Sequence, residues 1–186
     1  TYPISNVTFA GINNNSSAAI TAGPDYQDFS AISGNVTAGS TYNISVTSTG
    51  ATGNTFYQYV FFDWNNNGNF ADDGGPYNIG NYTTATGNFN LNITIPLTAT
   101  IGTIRFRVVN SFNTILNPCA TTGYFQMEDY SLNIIAPPAC TAPTAVPTSL
   151  VLSAGTPSGT AINGSFTAAV PAPNSYLVVV STSNIA

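Results

Sequence analysis

Apolar and polar side chains alternate along much of the chain with the two-residue period of a half-buried strand, and no stretch carries the 3.6-residue period of an amphipathic helix. The alternation is clearest at Tyr42, Ile44 and Val46, at Phe89, Leu91, Ile93 and Ile95, and at Ile104, Phe106 and Val108. Each set predicts a strand with one face on a core and the other in water. Residues 56–62 are apolar at almost every position and predict an interior strand, while residues 7–9, 28–32 and 77–79 give weaker strand signals. A last long run covers residues 124–135, and turn residues around Gly39, Gly50, Gly53, Pro76 and Gly102 separate the segments at the spacing of a sandwich. The predicted fold class is all-β: an antiparallel β-sandwich, jelly-roll-like, of roughly eight or nine strands ending near Ile135.

After that strand the composition changes. Pro137, Pro138, Pro143 and Pro147 remove backbone donors and favour an extended spacer, so the chain divides into a sandwich at residues 1–136, a Pro-rich linker at 137–147 and a second unit at 148–186. Three strand signals in the second unit, at 149–152, 161–166 and 175–180, are too few for a stable sheet and predict a smaller, incomplete immunoglobulin- or fibronectin-like β unit. The chain begins at Thr1 and stops just after an apolar run, as expected of a processed or partial polypeptide. The apolar edge formed by Tyr176, Leu177, Val178, Val179 and Val180 predicts strand addition by another copy or by a continuation of the same polypeptide. The extended N-terminal residues 1–9 are the candidate donor.

Composition narrows the chemistry. Of the 186 residues 43% are hydrophobic and only 5% charged, with no lysine, two arginines and seven acids, for a net charge of −5. That is enough apolar side chain for a core, and too little positive charge for nucleic acid or an anionic membrane surface. Mean hydropathy is +0.13, yet no apolar run approaches the roughly 20 residues that span a bilayer, so membrane insertion is not expected. The absence of histidine removes Ser-His-Asp and Cys-His catalysis and the usual zinc sites. Glu128 and Asp129 are adjacent and would face opposite sides of a strand, so they cannot flank one bond as glycosidase acids do, and the expectation is a protein that is not an enzyme.

The densest cluster of oxygen donors follows the interior strand. Asp63, Asn65 and Asn67 alternate before Gly68, in the spacing of the first half of an EF-hand loop, and predict calcium held by their side chains. The Asn69 carbonyl and Asp72 or Asp73 would complete the shell, with Gly74 standing where the bidentate Glu belongs. The alternative is a metal-free turn, because Asn67-Gly68 is also a strong hairpin signal. A second cluster is a structural charge group of Arg105, Arg107, Glu128 and Asp129, in which Glu128 shares a face with Tyr130, Leu132 and Ile134 and needs an arginine or a metal as partner. Cys119 and Cys140 leave three possibilities open: a bond to each other, a bond to a partner elsewhere, or a buried free thiol.

Several of these residues carry a resemblance. The opening from Ile4 to Ser17, the Tyr26-Gln-Asp-Phe29 segment, the Ala38 to Val46 segment, the Phe62-Asp-Trp-Asn-Asn-Asn-Gly-Asn-Phe70 loop and Tyr124-Phe-Gln-Met-Glu-Asp-Tyr130 are together similar, over nearly all of residues 1–136, to the GEVED domain of secreted proteins from Bacteroidetes-type bacteria. Phe125 and Gln126 stand where that family has Gly-Glu, and Gly75 stands where its loop commonly has an acid. The segment after the prolines looks like the first half of a fibronectin type III module. The resemblance implies a non-catalytic module of large surface or type IX-secreted proteins, at the cell surface of a bacterium. The function expected is structural or adhesive, as a subunit or repeat of a self-assembling filament or of a large secreted protein. The alternative is a calcium-stabilised accessory domain of a secreted hydrolase or protease that binds surface glycans, with Trp64, Tyr57 and Tyr59 as its sugar platform.

Overall fold

Alternation places one apolar set of side chains from each strand on a common interior, and two sheets close over it. The computed structural model describes residues 2–16, 24–71, 73–112, 114, 117–139, 147–155 and 162–170, and the chain divides into two units at Pro137 and Pro138. In the first unit the strands are β1 (Ile4–Phe9), β2 (Ile12–Asn14), β3 (Pro24–Thr37), β4 (Thr41–Thr49), β5 (Phe56–Phe62), β6 (Tyr77–Tyr82), β7 (Thr86–Thr94), β8 (Gly102–Ser111) and β9 (Phe125–Ile135). One sheet has the order β2-β1-β4-β7 and the other β3-β9-β8-β5-β6, so the all-β sandwich stands, with nine strands among the described residues, the last ending at Ile135. The β1-β2 hairpin turns through Ala10 and Gly11, both at positive φ, as a two-residue turn between twisted strands requires.

One pairing departs from the antiparallel expectation. β3 runs parallel to β9, with Pro24 to Asp28 beside Phe125 to Asp129 and Ser33 to Thr37 beside Ser131 to Ile135. β3 and β9 lie far apart in sequence, so no hairpin dictates their relative direction. The register shift between Asp28 and Ser33 lets Phe29 stack on Tyr130 at 5.5 Å between ring centres.

The core is built from rungs that cross β5, β8 and β9. Phe62, Phe106 and Tyr130 are directly opposed, with Val60, Val108 and Glu128 on the next rung of the same face and Gln58, Asn110 and Gln126 on the one after. Phe9 from the other sheet meets Phe62 and Phe106 at 5.9 and 5.5 Å, so the aromatic rung is gripped from both sides. The amide rung faces a rung of the four-stranded sheet made of Ile4, Ser48 and Gly87. Gln126 Oε1 accepts the Ile4 amide N–H, Gln58 Nε2 donates to Ser48 Oγ and to the Gly87 carbonyl, and Asn110 Nδ2 donates to the Tyr2 carbonyl. Tyr82 adds a hydroxyl that donates to the Thr49 carbonyl and to Asn110 Oδ1, and burial pushes its pKa up to about 12. The Ile4 N–H is open to this bond because the β1-β4 register slips at a bulge between Ile4 and Asn6.

The outward side of the four-stranded sheet has a different character. Its rungs are Asn6-Thr47-Asn88, Thr8-Ser45-Asn90, Asn43-Asn92 and Thr41-Thr94, every one an amide or a hydroxyl. Asn43 donates to Asn92 at 2.8 Å, and the Thr41 and Thr94 hydroxyls share a bond of 2.8 Å.

In the second unit β10 (Thr148–Ala154) and β11 (Ile162–Thr167) form a two-stranded antiparallel sheet. Leu150, Val151, Leu152 and Ile162 are more than half exposed. The third expected strand, with Tyr176, Leu177, Val178, Val179 and Val180, lies outside the described residues.

The tight approach of the two sheets makes a test. A Cβ on Gly87 would overlap the ring of Tyr82, which is itself buried. Gly87→Ala should therefore destabilise the first unit by about 1–3 kcal/mol, read as a lower denaturant midpoint at constant slope.

Candidate functional site

Strand parity decides where the charged groups go. Arg105 and Arg107 on β8 and Asp129 on β9 share the outward face of the five-stranded sheet, whereas Glu128 points inward beside Tyr130 and is fully buried. The arginines therefore pair with Asp129 and not with Glu128, a correction of the sequence reading that follows from one step of alternation along β9. Arg107 Nε donates to Asp129 Oδ1 at 2.6 Å and Nη2 to Oδ2 at 2.7 Å, a bidentate fork, while Nη1 donates to the Pro118 carbonyl at 2.6 Å. Burial disfavours the Arg107 cation, and the hydrogen bonds and charge of Asp129 more than restore it. The rings of Phe70 and Tyr26 flank the guanidinium at 4.8 and 5.4 Å, and the Tyr26 hydroxyl donates to Asp129 Oδ2 at 3.0 Å. Arg105 reaches Asp129 only at 3.7 Å with its side chain 48% exposed, a contact worth little.

This hub joins β8 and β9 to β3 through Tyr26, to the loop after β5 through Phe70 and to the turn at Pro118. It anchors a second apolar cluster, outside the sandwich core, of Tyr59, Phe61, Phe70, Val109, Phe125 and Met127. An open cleft of about 490 Å³ lies beside it, walled by Tyr26, Phe125 and Met127 with Asp25 and Arg107 at its polar end. Cys119 is a free, exposed thiol at the same cleft; Cys140 lies outside the described residues.

The loop expected to hold calcium is closed by its own hydrogen bonds. Asp63 Oδ1 accepts the Asn67 N–H and Oδ2 the Gly68 N–H, both at 2.9 Å. Asn65 Oδ1 also accepts from Asn67 N–H, Asn67 Oδ1 from Asn69, Asn69 Oδ1 from Ala71, and Asp73 Oδ2 accepts the Asn65 N–H. Each side-chain oxygen thus caps a backbone donor two to eight residues away, the behaviour of consecutive Asx turns. Asp72 lies outside the described residues, and among those described no three acidic, His or Cys side chains gather as a metal cage. Each of these oxygens accepts with one lone pair and keeps another, so a self-capped loop and a loop that also takes a cation share the same bonds.

The aromatic platform does not form. Trp64 is 5% and Tyr59 4% exposed, and Tyr57 is half-buried. Trp64 stacks on Phe62 at 4.2 Å and donates its indole N–H to the Tyr77 hydroxyl, so the loop's first turn is core and not surface.

Glu128 is the unusual group. Oε2 accepts the Tyr130 hydroxyl at 2.7 Å, Tyr130 in turn accepts from Asn14 Nδ2, and Oε1 has no hydrogen-bond partner among the described residues. Burial pushes its pKa up to about 7; the Ser16 and Tyr130 hydroxyls pull it back, and the Asp25 carboxylate on β3 raises it again. Tyr130 is driven far above its ordinary value, first by burial and then by the charge of Glu128. The sequence pattern put Glu128 on the apolar face, but gave no sign that Gln58, Asn110 and Gln126 would form a polar rung beside it.

With this geometry in place the comparison with known families has a physical reading. Residues 57–133 match the family model of the GEVED domain, a span that runs from β5 to β9 and holds the Asx loop, the arginine hub and Glu128. The resemblance drawn from the loop and from Glu128-Asp129-Tyr130 therefore holds over this stretch. No curated protein gave a significant match to the chain.

Two predictions come from these groups. Because the folded-state pKa of Glu128 is raised from 4.5 to about 7, its proton stabilises the fold below about pH 4.5 and that stabilisation is lost as the pH rises through 7. The loss is on the order of 3 kcal/mol, and Glu128→Gln should flatten the pH dependence of the denaturation midpoint between pH 5 and 8. For the loop, EDTA should leave the melting temperature unchanged while Asp63→Ala, which frees the Gly68 N–H and leaves the Asn67 N–H to Asn65 Oδ1, lowers stability by about 1–3 kcal/mol. A melting temperature raised by calcium in the wild type and not in Asp63→Asn would instead make the loop a cation site.

Proposed function

We propose that this chain is a non-catalytic module of a large secreted or cell-surface protein of a bacterium, with a structural or adhesive task. The observation that carries the reading is where its reactive groups are spent. Glu128 is sealed between the sheets, and Asp129 is locked by Arg107 on the opposite face, so neither carboxyl is free to flank a substrate bond. The match of residues 57–133 to the GEVED domain supports the same reading by analogy of fold. Other copies of the chain, or further domains of the same polypeptide, are its proposed partners, and assembly through the strand of Tyr176 to Val180 rests on the sequence pattern alone.

Two measurements test this. An antibody against the chain should label intact cells that make it, and labelling confined to permeabilised cells would overturn the surface reading. Light scattering of the purified chain should show mass above the 19.3 kDa monomer if strand addition operates, and Val178→Lys should abolish it.

A further inference from the structure

Charge is distributed over this sandwich in a one-sided way. Every charged residue of the chain lies on β3, β8 or β9 or in the segment between β5 and β6, so the five-stranded sheet and its loop hold the entire net charge of −5. The strands β1, β2, β4 and β7 hold none. Their outward face is the array of amides and hydroxyls described above, and it presents no aromatic or aliphatic side chain at its outward positions on β4 and β7. We propose that this face binds neutral polysaccharide, through Asn43, Ser45 and Thr47 on β4 and Asn88, Asn90 and Asn92 on β7.

The chemistry points to that ligand and away from the others. Strand geometry sets neighbouring side chains at about 4.8 Å across the sheet and about 6.7 Å along it, a two-dimensional lattice of groups that both donate and accept. Sugar hydroxyls do the same. The cross-strand bonds Asn43 to Asn92 at 2.8 Å and Ser45 to Asn88 at 3.4 Å hold side chains in place before a ligand arrives, which lowers the ordering cost of binding. Each amide has four hydrogen-bonding positions and these bonds leave most of them available. A protein partner would look for an apolar anchor, which the face lacks, and an anionic polymer would gain no ion pair while meeting a protein of like charge. Asn88, Asn90 and Asn92 are exposed on the terminal strand of the sheet, so a long chain can lie across the face from that side. Affinity per module is low and grows with the number of modules displayed, a property that rests on the surface role proposed above.

Native gels cast with soluble dextran, mannan or hydroxyethyl cellulose test the proposal on the full chain, with alginate as the anionic comparison. At least one neutral polymer should retard migration, the retardation should persist at about 1 M salt, where charge interactions are screened, and alginate should have no effect. Asn90→Asp together with Asn92→Asp should weaken the retardation at least tenfold with the melting temperature unchanged, whereas Asn78→Asp, exposed on β6 of the other sheet, should leave it intact. Failure of all three neutral polymers, or retardation indifferent to Asn90 and Asn92, overturns the proposal. If the same pair of substitutions instead lowers the mass measured by light scattering, the face joins two copies and the polysaccharide assignment falls. Surface labelling of intact cells is independent of every one of these outcomes, so the broader reading stands or falls separately.

Discussion

Two apolar sheets laid face to face attract each other without caring much where they slide, because burial of apolar area is non-directional. Here one contact is directional. The rung Gln58-Asn110-Gln126 of the five-stranded sheet meets the rung Ile4-Ser48-Gly87 of the other, and the amides bond to Ile4, Ser48, Gly87 and Tyr2. A buried amide that lost its partner would cost about 1–3 kcal/mol, so a slip of one rung would forfeit several such bonds together. This row sets the register between the sheets, and the aromatic rung two steps away then packs Phe9 against Phe62 and Phe106 in the position the amides allow.

The strands and their inward faces could be read from alternation, since Ile44 and Val46, Ile93 and Ile95, and Phe106 and Val108 all fall on the core as their parity requires. What could not be read was register. Arg107 lies opposite Asp129, and a slip of two residues would have placed it opposite Met127 or Ser131; a pattern that repeats every two residues does not choose between positions of the same parity on a partner strand. The parity of Glu128 with Tyr130 and Leu132 already implied that it and the arginines faced different ways, and that was the available clue. The parallel pairing of β3 and β9 was hidden for a related reason, since no hairpin or turn connects them.

The loop after β5 was legible as a turn and misleading as a surface. Its asparagines are bonded to the loop's own backbone, which is what short polar side chains do when strand pairing ends and N–H groups need acceptors. Trp64 and Phe70, at either end of the Asx run, turn inward instead, one onto Phe62 and the other over Arg107. A loop that is polar in composition is thus fastened at two aromatic points, and the charged hub depends on the second of them to shield its guanidinium from water.

Glu128 and Asp129 together show how one strand sorts the few ionisable groups of this chain between core and surface. Adjacent on β9, they face opposite sides: Asp129 meets Arg107 in a bidentate fork, and Glu128 enters a core that already contains neutral amides on the neighbouring rung. A protonated carboxyl is close to an amide in shape and, like it, can both donate and accept. Held in that form, Glu128 extends the polar row of Gln58, Asn110 and Gln126 by one rung without bringing a charge into the sandwich. An ionised Glu128 would have no cation within the core to meet, since both arginines of the protein lie on the other face of its strand. The alternation of a single strand therefore separates two adjacent acids into a core group whose proton burial holds up to about pH 7 and an outer one that is paired with Arg107.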